Sequence, residues 1–327
     1  MTLKRTPLFE EHKKLSAKLV EFGGWEMPVL YTNLIEEHLA VRNNVGMFDA
    51  GHMGVVKIPI TKSQILIFEN LLTRKIIDMT DGQIRYNRLV NDKKGIVDDI
   101  LVYREKDKYF AVFNASNTEK DMSFLKSKEI ETQLMGLHII AVQGPMAEKI
   151  IQKHTDLDLS QIKYYHFKRG KFAGVDVIFS RTGYTGEKGF EIMSLAQDNP
   201  KIWQILLKDQ VPPCGLGARD TLRIEAGMPL YGHELKDNWT NEKSNQILGI
   251  KMLEKAIPRQ GYKIFDTDQK TEIGEVTSGT FSPSLQEPIA LAWIKDKKLD
   301  DEVLIQIRNK MYKGKIVKPV FINNTRK

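Results

Sequence analysis

The sequence predicts an α+β protein of several domains that ends in an all-β barrel. Three observations carry this reading. Up to about residue 245, helical periodicity and short apolar strands alternate in irregular order. Beyond Ile247 the helical pattern stops and short strands alternate with turns to the end, as in a small barrel or sandwich. Within the first of these regions lies Ser180–Ile192, SRTGYTGEKGFEI, with Gly183, Gly186 and Gly189 spaced three apart. Such spacing permits positive φ and close approach to a flat object, and it equally suits a plain Gly-rich hairpin turn.

The elements follow in order. Thr6-Pro7 is a start signal for a helix carrying Leu8, His12, Leu15, Leu19 and Val20. Phe22–Pro28 reads as a turn-rich apolar loop, Leu34–Arg42 as a helix, Val45–Asp49 as its break, and Met53–Ile58 as a strand. Thr61–Leu72 is an amphipathic helix. Gln83–Val90 and Val97–Tyr103 are strands joined through Asn91–Gly95, and Tyr109–Asn114 pairs with the second of them. Ser116 and Glu119 form a capping-box pattern for a helix over Asn117–Lys128. His138–Val142 is a strand, and Gly144-Pro145 opens a helix over Met146–His154. Lys171–Phe179 reads as a hairpin, Lys201–Lys208 as a helix, and Gly215–Met228 as helix formers bounded by glycine. The final strands are expected at Gly249–Met252, Tyr262–Phe265, Ile273–Ser278, Pro288–Ile294, Val303–Arg308 and Met311–Ile322.

With 327 residues, 41% of them hydrophobic, the chain can build two or three cores. Its longest apolar stretches are strand-sized, and its start has no apolar segment of signal-peptide type. The reading is therefore no membrane partner and a cytoplasmic protein (or one of the mitochondrial matrix, if eukaryotic). Cys214 is the single cysteine, so no intrachain disulfide forms, and it reads as a buried structural thiol. The net charge of +7 is dispersed, with no basic stripe interleaved with aromatics, which argues against nucleic acid. No His, Cys and Asp spacing matches a metal site, and neither a G-x-S-x-G elbow nor a phosphate loop is present.

Asp98-Asp99 is the most informative pair of carboxylates. Adjacent strand residues point to opposite faces, so one is solvated or structural while the other can face an interior space. Asn114 ends a strand and offers donor and acceptor together, which suits a planar heterocycle or a local turn contact. Tyr86 lies in an apolar strand between Arg85 and Arg88, a core or rim position by default. Arg219-Asp220 reads either as an internal ion pair or as a guanidinium offered to an anion.

Several stretches then combine: TPLFEEH at 6–12, FGGWEMPV at 22–29, EEHLAVRNNVGMFDAGHMG at 36–54, GIVDDILVY at 95–103, FNASNTEKD at 113–121, SRTGYTGEKGFEI at 180–192, GLGARDTLRIEAGMPLYGHEL at 215–235 and GEVTSGTFSPSL at 274–285. In this order and spacing, over nearly the whole chain, they make it resemble the T-protein family of the glycine cleavage system, the tetrahydrofolate-dependent aminomethyltransferases.

The resemblance implies a three-domain cloverleaf around a central folate channel. The domains are expected over 1–50 with 137–230, over 51–136 with 231–245, and over 246–327, the barrel. It implies transfer of a methylene carbon to tetrahydrofolate from the aminomethyl-lipoyl arm of a carrier, the H protein, with release of ammonia. It implies that Glu191 accepts from the pterin N3–H and 2-amino group, that Tyr184 and Tyr86 line the ring with Met53 beside it, and that Asn114 bonds its edge. Asp99 is implied as the catalytic carboxylate near folate N5 and N10, and Arg219 as a contact of the carrier's arm, of the folate's anionic side, or of the Asp220 region.

One departure stands out. The family pattern continues from LYG-x-E-L through a few dozen further residues before the barrel, whereas here Leu230–Asp237 is followed by 238–244 and the barrel strand begins at Gln246. Trp239 is a large residue in that short join that can fill part of the gap. The shortening keeps two alternatives in view: a folate-dependent demethylase of another methyl donor, and a non-catalytic folate-binding relative.

Overall fold

A computed structural model describes residues 2–59, 62–106, 108–237 and 246–322. The stretch 238–245, with Trp239, lies outside the described residues. Backbone contacts divide the chain into two compact units, one holding the residues up to Gly183 and Glu187–Ala218, the other Tyr184–Gly186 and the residues from Arg219 on.

The first unit contains, in chain order, α1 Phe9–Lys14, β1 Lys18–Phe22, β2 Trp25–Leu30, α2 Leu34–Asn43, β3 Gly46–Asp49, β4 Gly54–Ile58, α3 Lys62–Asn70, β5 Ile84–Val90, β6 Ile96–Glu105, β7 Lys108–Phe113, α4 Thr118–Lys126, β8 Gln133–Leu134, β9 Leu137–Gln143, α5 Ala147–Gln152, β10 Phe167–Phe172, β11 Val175–Ser180, β12 Gly189–Leu195 and α6 Asn199–Lys208. Two five-stranded sheets result, in the orders β10-β11-β12-β9-β3 and β5-β6-β7-β4-β8. Each has its own core. Phe179, Phe190, Ile192 and Trp203 are buried in one, and Phe68, Ile100, Val102 and Phe113 in the other. A third cluster joins Ile84, Tyr103, Phe110 and Val112 of the second sheet to Ile139, Ile178 and Met193 of the first. The two sheets therefore pack face to face over these side chains.

The N-terminal reading needs correction. The first helix stops at Lys14, Ser16 takes a φ of 55°, and Lys18–Phe22 is a strand rather than a continuation of the helix. It pairs with Trp25–Leu30, of which Trp25–Pro28 was expected as loop, because Gly23 and Gly24 both adopt positive φ and turn the chain into a hairpin. The expected break at Val45–Asp49 holds the fully buried strand β3, paired with β9. The capping box is also absent. Asn117, not Ser116, precedes α4, and it makes no side-chain capping bond; Glu119 pairs with Lys4 at 2.7 Å instead.

The chain passes into the second unit within α7 Leu216–Glu225. There β13 Gln246–Met252, β14 Lys263–Phe265, β15 Glu272–Ser282, β16 Glu287–Ile294, β17 Glu302–Ile307 and β18 Lys310–Val317 close into a barrel in the order β13-β16-β15-β14-β17-β18. The protein is thus a mixed helix-and-sheet fold with a closed six-stranded C-terminal barrel, as its sequence predicts. Among the described residues, no helix is long and apolar enough to cross a membrane.

Candidate functional site

The alternation of β6 sets the first wall of the site. In register, Asp99 stands opposite Arg88, Leu101 opposite Tyr86, and Tyr103 opposite Ile84. Opposed residues share a sheet face, so Asp99, Leu101, Tyr103, Tyr86 and Arg88 project from the side that meets the other sheet. Asp98, Ile100 and Val102 take the opposite side, toward the core closed by α3 and α4. Asp98 is fully buried, whereas Asp99 keeps a little exposure.

Asn114 follows β7 and reaches both aspartates. Its Nδ2 donates to Asp98 Oδ1 at 2.9 Å and to Asp99 Oδ1 at 3.0 Å. Burial, and then the Asp98 charge, push the Asp99 carboxyl up to about 7; the bond from Asn114 and the neighbouring Tyr86 and Arg88 oppose the rise. A carboxyl placed there exchanges a proton near neutral pH, which is what a general base requires. Tyr86 Oη lies beside the Asp99 carboxyl without a hydrogen bond of ordinary length, and burial followed by the Asp99 charge pushes the phenol up.

The second wall comes from β12. Glu191 stands between Ser180 of β11 and Ala141 of β9, two residues before Met193 and on the same face. That face packs toward Tyr103, so Glu191 and Asp99 project from opposing sheets into the same layer. Thr182 donates to Glu191 Oε2 at 2.5 Å. The Tyr103 phenol is pushed up by burial and then by the Glu191 charge. Asp99 and Tyr103 are four residues apart on one strand, about 13 Å along it.

Met53 packs against the same intersheet cluster from the turn after β3. Buried Asp49 anchors that turn, accepting from Gly51 N at 2.7 Å and from His12 Nε2 at 2.8 Å, while Tyr31 Oη contacts His12 Nδ1 at 2.8 Å.

Two of the three glycines in Ser180–Ile192 serve packing rather than unusual φ. A Cβ at Gly183 would lie 1.9 Å from Gln143 Oε1, and one at Gly189 would lie 2.4 Å from the Val142 carbonyl. Only Gly186 of the three adopts positive φ, at 83°.

The structure therefore gathers Met53, Tyr86, Asp99, Asn114 and Glu191 around one intersheet layer. Tyr184 and Arg219 belong to the other unit, where the Arg219 guanidinium sits 4.6 Å from the Tyr184 ring centre and the Tyr184 hydroxyl donates to the Pro229 carbonyl at 2.5 Å. Asp220 bonds Arg223 at 2.9 Å. Cys214 is buried as expected, with its thiol directed at the Glu37 carbonyl at 3.5 Å and pushed up by burial.

Sequence reasoning missed Thr182, Asn117 and Asp121. The last two were open to detection. Asn117, Asp121 and Leu125 recur at i, i+4 and i+8 along α4, and a polar pair within an inward stripe marks a buried network.

Comparison with known proteins shows what the chain is similar to. Residues 8–248 match the GCVT N-terminal domain and residues 245–323 the glycine cleavage T-protein C-terminal barrel domain. An aminomethyltransferase of Desulfitobacterium hafniense is 40% identical over 360 residues, covering 98% of both chains. One of Chloroherpeton thalassium is 40% identical over 365 residues, covering 99% of this chain and 100% of its own. The crystal structure of the glycine cleavage system aminomethyltransferase T from Bartonella henselae superposes with a TM-score of 0.91 at 28% identity, covering 98% of each chain. The 360 positions aligned with the Desulfitobacterium protein exceed the 327 residues here, so that relative carries residues this chain lacks.

Proposed function

The chain belongs to the glycine cleavage T-protein family, and we propose that it transfers the methylene carbon of an aminomethyl-lipoyl arm, presented by the H protein, to tetrahydrofolate. It is an aminomethyltransferase of the glycine cleavage system by this reading. The cytoplasmic location and the three-domain division over 1–50 with 137–230, 51–136 with 231–245, and 246–327 go with the proposal.

The observation that carries it is Asp99, an amide-bonded carboxyl tuned to about 7 on one sheet, opposed by a Thr182-held carboxylate, Glu191, on the other. A flat ligand that carries paired N–H donors at one end and basic amines at the other fits two carboxylates so placed. Glu191 accepts from the pterin N3–H and 2-amino group. Tyr86 and Met53 line the ring, and Asn114 bonds its edge. Tyr184 and Arg219, which contact each other within the other unit, are proposed for the folate as well. Asp99 serves the amines.

In the transfer, N5 and N10 of the folate each bond to the methylene carbon as the carbon's bonds to the departing nitrogen and to sulfur break. The two N–H protons of the folate leave, one with the departing amine as ammonia and one on the freed thiol. Asp99, ionised, takes the proton from the attacking amine and hands it to the leaving group, and its charge stabilises the electron-poor carbon between them. Glu191 and Thr182 bind and orient without entering the proton transfer.

The test supplies purified protein with aminomethyl-loaded H protein and tetrahydrofolate, and measures ammonia and methylenetetrahydrofolate together. Asp99→Asn is expected to abolish both products while tetrahydrofolate still binds. Full turnover by that variant, or no turnover by the unaltered protein, defeats the proposal.

A further inference from the structure

The Asn114 side chain has its nitrogen committed. Besides the two carboxylate contacts at 2.9 and 3.0 Å, Nδ2 donates to the Asp99 carbonyl at 3.1 Å. The Asp99 carbonyl accepts only, and the two carboxylates accept only while ionised. The amide nitrogen must therefore face them, and Oδ1 is left on the other side of the side chain. Asn114 is half-buried and the last residue before the turn into α4, so that oxygen is what it can offer to a ligand.

Asp98 is the residue that enforces this. It is fully buried, and the same Oδ1 that takes Asn114 also accepts from Asn117 Nδ2 at 2.8 Å. Its other oxygen faces the Asn114 backbone N–H at 3.4 Å. From α4, Asp121 turns its carboxyl toward Asp98 without a bond of ordinary length. Burial, then Asp98 itself, push Asp121 up to about 10, so it stays a neutral acid there, with Lys120 opposing the shift. Lys120 Nζ is bonded to the Val97 carbonyl at 2.7 Å. The Asn114 amide is thus held from behind by a carboxylate whose own neighbours are two amides and an acid.

We propose that Asp98 is a positioning residue that makes Asn114 an obligate acceptor toward the ligand, so that the site selects a reduced pterin, which bears ring N–H donors, over an oxidised one, which bears bare ring nitrogens. This rests on the reading of Asn114 as a ligand contact. A bare ring nitrogen set against Asn114 Oδ1 places two acceptors in contact, whereas an N–H completes a hydrogen bond. If the amide were free to flip, it would serve either ligand.

The experiment measures the affinity of the full chain for tetrahydrofolate and for folic acid, with Asp98→Ala, Asp98→Asn and Asp121→Asn alongside. The unaltered protein is expected to prefer tetrahydrofolate, and Asp98→Ala to lose about tenfold of that preference, the worth of one hydrogen bond. Asp98→Asn keeps an acceptor oxygen for Asn114 and is expected to restore the preference to within about threefold. Asp121→Asn is expected to keep it. An unchanged preference in Asp98→Ala, an Asp98→Asn variant as indiscriminate as Asp98→Ala, or equal binding of both ligands by the unaltered protein overturns the inference.

Side-chain amide NMR separates this from failure of the folate reading. If neither folate binds, that reading falls, and the Asn114 NH2 pair, identified by its loss in Asn114→Ser, still reports the positioning. A fixed, slowly exchanging pair supports the clamp, and a pair exchanging at the rate of free amides overturns it. The same measurement on the unaltered protein decides the matter if Asp98→Ala does not fold.

Discussion

Asn117 Nδ2 donates to Asp98 Oδ1 at 2.8 Å although Asn117 occupies the N-cap of α4, where its side chain ordinarily accepts from the helix. The residue has exchanged a cap for a contact with a buried carboxylate. A cap is worth about 1 kcal/mol, and a hydrogen bond to a charged buried group about 1.5–3 kcal/mol. Asn117→Ser offers the helix a good cap and cannot reach Asp98 with an amide. It is expected to destabilise the protein by about 1 kcal/mol, read by denaturant unfolding. A gain in stability means that the cap, not the carboxylate, decides this position.

The Asp99 environment predicts the acid limb of the pH–rate profile. Turnover needs the ionised carboxylate, so the rate is expected to fall as pH drops through about 7. The groups around Asp99 are Asp98 on its own strand, Arg88 and Tyr86 on β5, and Asn114 after β7. Burial raises the carboxyl most and the Asp98 charge next. Asp98→Asn removes that charge, and its limb is expected to move to lower pH. A profile of kcat/KM across pH 5–9 on the two proteins checks this; an unmoved limb rules Asp99 out as the group that titrates.

Asp121 carries a stability prediction of definite sign. Its folded-state value, raised from 3.8 to about 10, means that the folded chain keeps a proton that the unfolded chain releases. Its contribution is complete below about pH 4 and is lost steadily as pH rises toward 10. Asp121→Asn is neutral in both states. Relative to the unaltered protein, its stability is expected to improve with pH, by up to about 1.4 kcal/mol per pH unit. Thermal unfolding at pH 6 and pH 9 gives the comparison, and a constant difference between the two proteins contradicts the assignment.

Much of this was legible beforehand, for physical reasons that differ by region. Each of the six barrel strands overlaps the apolar run expected for it, because turn residues punctuate that region regularly, although the last ends at Val317 rather than Ile322. Period-two alternation separated Asp98 from Asp99 correctly, one to the core and one to the intersheet face. The β1–β2 hairpin was hidden because Leu15, Leu19 and Val20 also fit a helical period, and only the paired positive-φ glycines decide it. Tyr103 and Thr182 were not legible as parts of the site: Tyr103 owes its place to the packing of one sheet on the other, and Thr182 meets Glu191 only where the chain folds back between β11 and β12.

In the second unit, Arg223 is buried with Glu234 at 2.9 Å and also donates to Ser278 Oγ at 2.7 Å. Removing one charge strands the other, so Arg223→Met is expected to cost about 3–5 kcal/mol in unfolding free energy. Arg223→Met with Glu234→Leu is expected to recover most of it, since the paired desolvation is relieved. Two additive losses in the double variant would contradict that account.

Glu191 and Thr182 offer a graded test of the pterin contact. A carboxylate that accepts two parallel N–H bonds gains charge-assisted strength only if its plane is fixed, and Thr182 at 2.5 Å from Oε2 fixes it. Glu191→Ala removes both bonds and is expected to weaken tetrahydrofolate binding by about a hundredfold. Thr182→Val leaves the carboxylate but frees it to rotate, and about a tenfold loss is expected. Titration of tetrahydrofolate into the three proteins gives the order directly. Binding by Glu191→Ala equal to that of the unaltered protein removes Glu191 from the site. A Thr182→Val variant that binds normally shows that the carboxylate orients without its neighbour, and the two walls then share less of the recognition than Asp99 and Asn114 hold on their own.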